Sequence, residues 1–106
     1  MYKLGFYVPE THVEAVKRAA FEAGAGRIGD YDSCSWQVLG QGQFRPLEGS
    51  DPYLGQQGAV ETVAEYRVEM VCDAEHIRAA VDAMINAHPY EEPAYDVVAL
   101  VTELPA

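Results

Sequence analysis

The fold of this chain is decided by residues 60–72, which read Val60-Glu61-Thr62-Val63-Ala64-Glu65-Tyr66-Arg67-Val68-Glu69-Met70-Val71-Cys72. The even-numbered residues of this stretch are mostly apolar, whereas most of the odd-numbered ones are charged. Successive side chains of a β-strand point to opposite faces, so a repeat of two indicates a half-buried strand. The pattern predicts a long strand whose even-numbered face lies on the core. Its odd-numbered face is expected to meet solvent or another subunit.

The remaining elements are recognised by their periodicity and by the residues at their ends. They are strands over Tyr2–Val8, Tyr31–Leu39 and Tyr95–Val101, and helices from a Thr11–Glu14 capping box to Gly24 and from an Asp73 cap to His88. Pro89 ends the second helix because the residue before a proline disfavours helical geometry. The last strand is apolar enough to be largely buried.

The resulting order is β-α-β-β-α-β, which is typical of the ferredoxin-like sandwich. We therefore predict an α+β fold in which residues 1–106 form one domain. It has an antiparallel sheet, two helices on one face, and a long connection between the second and third strands. The sheet face without helices must be wet or covered by another subunit, so a homo-oligomer is expected.

Charge and cysteine content narrow the classes of function. Seventeen acidic residues oppose seven basic ones, for a formal charge of −10. Nucleic-acid binding requires clustered basic residues, and none cluster here. A membrane role is not expected either, because no apolar run approaches the roughly 20 residues of a spanning helix. The two cysteines cannot form a disulfide framework, which predicts a reducing, cytoplasmic location.

The densest group of functional side chains is His88-Pro89-Tyr90-Glu91-Glu92-Pro93. An imidazole and two carboxylates follow the carbonyl groups at a helix C-terminus, and this combination suits a divalent cation. His88, Glu91 and Glu92 are therefore the candidate metal ligands. The alternative is that His88 completes the apolar stripe of the helix, Tyr90 packs, and the glutamates are solvated.

Two further places attract attention. The span Gly40–Gly58 contains five glycines and Phe44, and it could wrap a ligand through its backbone amides or form an oligomer contact. Cys34 is a lone cysteine in a predicted strand, where cysteine is usually a small hydrophobic residue. A nucleophilic role for Cys34 would need a base brought near it by the fold. The predicted ligand-binding residues are, together, His88, Tyr90, Glu91, Glu92, Cys34 and Phe44.

Several of these segments resemble one protein family. They are Gly24-Ala25-Gly26-Arg27-Ile28-Gly29-Asp30-Tyr31-Asp32-Ser33-Cys34-Ser35-Trp36, then Gly40-Gln41-Gly42-Gln43-Phe44-Arg45-Pro46 with Gly49, Pro52, Gly55 and Gly58, and His88-Pro89-Tyr90-Glu91-Glu92-Pro93-Ala94-Tyr95-Asp96. The chain is similar to the inserted domain of YqfO-type proteins in the NGG-interacting-factor-three-like family of dinuclear-metal proteins. The resemblance implies a CutA/PII-like ferredoxin fold. Modules of this type typically form trimers and bind small ligands or divalent cations between subunits.

The metals of that family are held by larger flanking domains, for which this sequence has no counterpart. The dinuclear site and the GTP cyclohydrolase label are therefore not carried over, and the domain is expected to act free-standing. No nucleophile, base and orienting residue form a recognisable set. We expect an oligomeric binding module, taking a small metabolite or divalent cation, in preference to an enzyme. The alternatives are an interaction module without a ligand, and a hydrolase at a subunit interface with Glu91 or Glu92 as base and a metal-activated water.

Overall fold

A computed structural model describes all 106 residues and shows the predicted order of elements. The strands are β1 (Tyr2–Pro9), β2 (Trp36–Phe44), β3 (Glu61–Cys72) and β4 (Tyr95–Ala99), and the helices are α1 (Val13–Glu22) and α2 (Ile77–Ala87). The strands form one sheet in the order β2-β3-β1-β4, and every neighbouring pair is antiparallel. The α+β ferredoxin-like prediction is confirmed.

Both helices cover the face formed by the even-numbered residues of β1 and β3. The core contains Leu4, Phe6 and Val8 from β1, Val68, Met70 and Cys72 from β3, Val13, Val16 and Ala20 from α1, and Ala80 and Met84 from α2. Because Val8 pairs with Tyr66 and Leu4 with Met70, the even-numbered residues of the two strands share one face. The predicted register of β3 is therefore correct where helices lie above it. At Thr62 and Ala64 the strand extends past the helices, and these even-numbered residues are exposed.

The second strand begins and ends about five residues later in the sequence than predicted. It spans Trp36–Phe44, whereas the sequence pattern indicated Tyr31–Leu39. Residues 28 and 31 instead close a tight turn in which each backbone N–H donates to the other residue's carbonyl, at 2.9 and 3.0 Å. Gly40 and Gly42, which suggested a loop, pair with Glu65 and Val63 of β3. Ladder hydrogen bonds need no side chain, so the β3 partner overrides the weak strand preference of glycine.

Strand β4 contradicts the prediction of a buried final strand. All five of its residues are exposed, and Val97 and Val98 retain 39% and 52% of their accessible surface. The strand forms one edge of the sheet beside β1, where the two helices leave it uncovered. An apolar sequence shows only that a strand is suited to burial. In a single copy of this chain, no other element covers this edge of the sheet.

The first helix also begins differently. The Thr11–Glu14 capping box is not formed, because the Thr11 hydroxyl bonds His12 Nδ1 at 2.8 Å and the helix starts at Val13 with no side-chain cap. Asp73 does cap the turn leading into α2, since its carboxylate accepts the His76 backbone N–H at 2.9 Å. Neither α1 nor α2 reaches the length and apolar content that a bilayer-spanning helix requires.

Candidate functional site

A pocket of about 400 Å³ lies at the end of the sheet where β1 finishes and β3 begins. Its floor includes Tyr7 and Glu65, whose odd-numbered positions place them on the sheet face without helices. Its walls come from two connections, the β2–β3 loop (residues 45–60) and the α2–β4 loop (residues 88–94). The two segments singled out in the sequence therefore meet over one cavity.

The β2–β3 loop packs on its own chain. Within the loop, the Gly58 N–H donates to the Pro46 carbonyl at 2.7 Å, and this bond closes its base. Across to the other loop, the Asp51 N–H donates to Glu91 Oε2 at 2.9 Å, although 40 residues separate the two. A charged acceptor strengthens such a hydrogen bond. Through this hydrogen bond, Glu91 holds the β2–β3 loop over the pocket.

Aromatic rings form much of the wall. The Tyr90 ring contacts both Phe44 and Tyr53, whose ring centroids lie 5.9 and 6.3 Å from its own. On the outer side, His12 meets Tyr53 edge to face at 5.5 Å. These distances and tilted geometries are those of favourable aromatic pairs. The cluster ties the start of α1, the end of β2 and both loops together.

His88 supports the pocket from behind. It is only 7% exposed, and its Nε2–H donates to the Tyr7 carbonyl at 2.6 Å. Its Nδ1 accepts the Tyr90 N–H at 3.1 Å, so both ring nitrogens are engaged and the ring is the neutral Nε2–H tautomer. Burial lowers the pKa of His88, and the charge of His12 lowers it further, against the opposing effect of the Tyr7 carbonyl. His88 therefore links β1 to the turn that positions Tyr90.

The ionisable groups of the pocket lining are carboxyls and phenols, beside the neutral polar side chains of Gln43 and Ser50. Burial raises the pKa of the Glu65 carboxyl above its usual value. The pKa of Tyr90 is raised to about 12, first by burial and then by the charges of Glu65, Tyr53 and Glu61. The Tyr90 hydroxyl is buried and has no hydrogen-bond partner. Neither lysine nor arginine contributes to the lining. The pocket is therefore apolar and aromatic, with a negative electrostatic character.

The structure brings together four of the six predicted ligand residues. Phe44, Tyr90, Glu91 and Glu92 line the same pocket. Cys34 lies away from it, with its N–H bonded to the Gly26 carbonyl at 2.8 Å and its Sγ 3.6 Å from the Asp32 carbonyl oxygen. This local bonding explains its position, because Cys34 belongs to the turn that follows α1.

The predicted metal ligands are not assembled as a set. No three His, Cys, Asp or Glu side chains converge in an arrangement that could hold a metal ion. Among the predicted ligands, His88 has both ring nitrogens in hydrogen bonds and Glu91 accepts the Asp51 N–H. A metal site at His88, Glu91 and Glu92 stays a prediction, and it would require His88 to release Tyr7 and Tyr90.

Among the lining residues that the sequence did not single out as ligands, Tyr7, Glu65 and Ala94 lie outside both predicted segments, whereas Tyr53 lies within Gly40–Gly58. Tyr53 had a signal, because an aromatic residue in a glycine-rich span needs a packing partner. Tyr7 and Glu65 had none, since strand alternation assigns a residue to a face but does not say which loop covers that face.

This chain is similar in sequence and in fold to parts of known proteins. No protein-family model matches the chain. A Mycobacterium leprae protein named GTP cyclohydrolase 1 type 2 homolog is 59% identical over 95 residues, which make up 90% of this chain and 25% of the relative. The chain spans about a quarter of the length of these curated relatives. That name describes proteins about four times longer.

Solved structures agree with the sequence comparison. A Bacillus cereus protein related to NIF3 superimposes with a TM-score of 0.79 and 43% identity, covering 93% of this chain and 25% of that protein. CutA from Xylella fastidiosa superimposes with a TM-score of 0.68 and 23% identity, covering 98% of this chain and 86% of CutA. The CutA likeness shows the fold alone. The chain is therefore homologous to a part of the NIF3-related, YqfO-type proteins, and it has the CutA/PII-like fold.

Proposed function

We propose that this chain is a binding module that holds a small organic molecule in the pocket between the β2–β3 and α2–β4 loops. One observation carries the proposal: two loops far apart in sequence close over a single cavity of about 400 Å³. Ligand sites are commonly clefts of roughly 300–1,000 Å³ lined by apolar and aromatic groups with a few polar ones. This pocket fits that description in its size and in its chemistry.

The Tyr90 hydroxyl supports the same proposal. It is buried without a hydrogen-bond partner in the protein. A buried hydroxyl left unpaired costs about 1–3 kcal/mol, so such groups are rare and call for an explanation. A ligand that hydrogen-bonds this hydroxyl would recover that cost on binding. The Tyr90 ring would have to turn slightly before a ligand could reach this oxygen, because the oxygen has almost no accessible surface in the unliganded protein.

The geometry favours a small molecule over a divalent metal ion. A metal bound by His88 would have to break hydrogen bonds to Tyr7 and Tyr90 that fix the pocket wall. An organic ligand needs no such rearrangement, because Phe44 and Tyr53 already line the cavity. The proposal therefore assigns His88 a supporting role and gives the contacts to the aromatic rings.

The test is a comparison of two alanine-to-tryptophan variants. Ala94 lines the pocket, whereas Ala59 is an exposed loop residue outside the lining. Ala94→Trp should fill the cavity and abolish the thermal stabilisation produced by any metabolite that binds wild type, while Ala59→Trp should leave it unchanged. Equal stabilisation of wild type and Ala94→Trp by every binding metabolite would refute the pocket as the site.

We also propose that the chain forms a homo-oligomer, with a trimer favoured by its CutA/PII-like fold. The supporting observation is β4, an exposed edge strand with apolar residues on both faces. Exposed edges carry unpaired backbone groups and readily join other chains. Light scattering after size exclusion tests the proposal, and a monomer at all concentrations would refute it.

A further inference from the structure

We infer that the pocket selects a positively charged organic ligand, a substituted ammonium group carried on an apolar body. The inference rests on the proposed small-molecule site and names the class of ligand that the site would take. It follows from the carboxylates that line the cavity, from the lack of basic residues paired with them, and from the aromatic rings beside them.

The pocket lining contains carboxylates and no basic side chain. Glu65, Glu91 and Glu92 all line the pocket, and no basic residue does. No salt bridge in the molecule involves any of the three. Phosphate and carboxylate ligands would be repelled at such a site, whereas a cation would be attracted more strongly than in open water.

The arginine that contacts the lining residue Tyr7 does not cancel this charge. Arg67 lies beside Tyr7, with its guanidinium carbon 5.0 Å from the ring centroid. Its Nη2 is held by Asp96 at 3.0 Å and its Nε faces Glu69 at 3.5 Å. Arg67 also lies directly over Gly5, where a β-carbon would collide with the guanidinium. Its charge is therefore paired and fixed outside the cavity lining.

The position of Glu65 shows that the chain makes room for its carboxylate. Gly42 lies directly against the Glu65 side chain, and a β-carbon at residue 42 would overlap the carboxylate oxygens. The carboxylate is thus accommodated against the β2 backbone at the floor of the pocket. Its partial burial also makes an unneutralised charge costly there, which a cationic ligand would relieve.

The rings supply the second element of ammonium recognition. Four of the lining residues are aromatic, namely Tyr7, Phe44, Tyr53 and Tyr90. Organic ammonium groups are recognised by aromatic walls through the negative faces of the rings, and carboxylates add to the attraction. Pro46, Pro52 and Leu54 contribute apolar surface for the remainder of the ligand.

Choline and two matched compounds test the inference. The neutral carbon analogue 3,3-dimethylbutan-1-ol has the shape of choline without its charge, and 3,3-dimethylbutanoate carries a negative charge. Titrations followed by amide chemical shifts in the 45–60 and 88–94 segments should give choline an affinity about ten-fold higher than the alcohol. The carboxylate should not bind. Ala94→Trp should abolish the choline shifts, and Ala59→Trp should retain them.

A charge variant then separates this inference from the proposed function. Glu65→Gln should weaken choline several-fold and leave the alcohol unchanged, whereas the exposed Glu22→Gln should affect neither. Equal affinity for choline and the alcohol, with both lost in Ala94→Trp, would overturn the charge selection and leave the pocket standing. Choline shifts that survive in Ala94→Trp would overturn both. If no compound shifts a pocket amide, the cation inference fails, and the metabolite comparison decides the pocket separately.

Discussion

His88→Ala is predicted to destabilise this domain strongly. The imidazole is buried, donates to the Tyr7 carbonyl at 2.6 Å, and accepts the Tyr90 N–H at 3.1 Å. Alanine removes both hydrogen bonds and most of the side-chain volume at once. The backbone groups of Tyr7 and Tyr90 would lose a partner that holds the end of β1 to the α2–β4 loop.

The expected cost follows from these contacts. Two buried hydrogen bonds contribute about 1 kcal/mol each, and a large-to-small change at a buried site adds about 2 kcal/mol for the lost contacts and the cavity. The sum is about 4 kcal/mol, a substantial share of the roughly 5–15 kcal/mol that stabilises a typical domain. A domain of this size would lose on the order of 15–20 °C in its melting temperature.

Guanidinium denaturation followed by far-ultraviolet circular dichroism measures the change, with His76→Ala as the control. His76 is half-exposed and pairs with Asp73 at the surface, where ion pairs contribute little. His76→Ala should therefore cost much less than His88→Ala. If the two variants lost similar stability, the supporting role assigned to His88 would be wrong. Nitrogen chemical shifts of the His88 ring provide an independent check, since they should report the Nε2–H tautomer in wild type.

The same residue predicts a pH dependence. Burial holds the pKa of His88 below its usual value in the folded state. As pH falls below about 6.5, the unfolded chain takes up the proton first, so the free energy of unfolding decreases until the folded-state pKa is passed. The loss measured between about pH 8 and pH 5 should be smaller in His88→Gln than in wild type. An equal or larger loss in the variant would contradict the assignment.

Three further variants have predicted outcomes. Tyr90→Phe removes a buried unpaired hydroxyl, so it should leave the free energy of unfolding of the unliganded protein unchanged or raise it by about 0.5–1 kcal/mol. A clear loss of stability in denaturation would refute that account. An absorbance titration of wild type should show a phenolate step near pH 12 that this variant lacks. Glu91→Gln weakens the hydrogen bond from the Asp51 N–H, so hydrogen exchange of that amide should accelerate with little change in global stability. Unchanged exchange would show that this hydrogen bond does not hold the β2–β3 loop in place. Val98→Glu places an acid opposite Lys3 on β1, an arrangement that the monomer tolerates. Light scattering should show dissociation of the oligomer. An oligomer that stays intact would show that the subunit contact does not involve Val98.

The fold was largely predictable because its strongest signals are local. The alternation of residues 60–72 predicted β3 within one residue, and Pro89 predicted the end of α2 at His88. The position of β2 was not predictable in the same way. Gly40 and Gly42 have low strand preference, and only the pairing partners on β3 place them in the sheet. The exposure of β4 likewise depends on which strands the two helices cover, and periodicity within β4 does not contain that information.

The candidate site was predictable in part, for a related reason. The density of unusual residues pointed to Tyr90 and Glu91, and Phe44 stood out in its glycine-rich span. The residue type of His88 did not show whether its ring nitrogens were free, because that depends on the Tyr7 carbonyl 81 residues away. Glu65 was assigned to the outward face of β3, and only the loop packed above it makes that face part of a pocket.

The pairing of β1 with β4 gives the domain a direction of mechanical weakness. Tyr2 pairs with Ala99, so the chain enters and leaves the sheet at one point. Tension pulling these two positions apart would load the β1–β4 hydrogen bonds one at a time, as in unzipping, from that end toward Phe6 and Tyr95. The next bond inward joins the Tyr7 N–H to the Ala94 carbonyl at 3.1 Å, and both residues line the pocket. Force on the flanking chain would therefore reach the pocket along a single ladder and release Ala94 of the α2–β4 loop, while β1 and β3 remain paired.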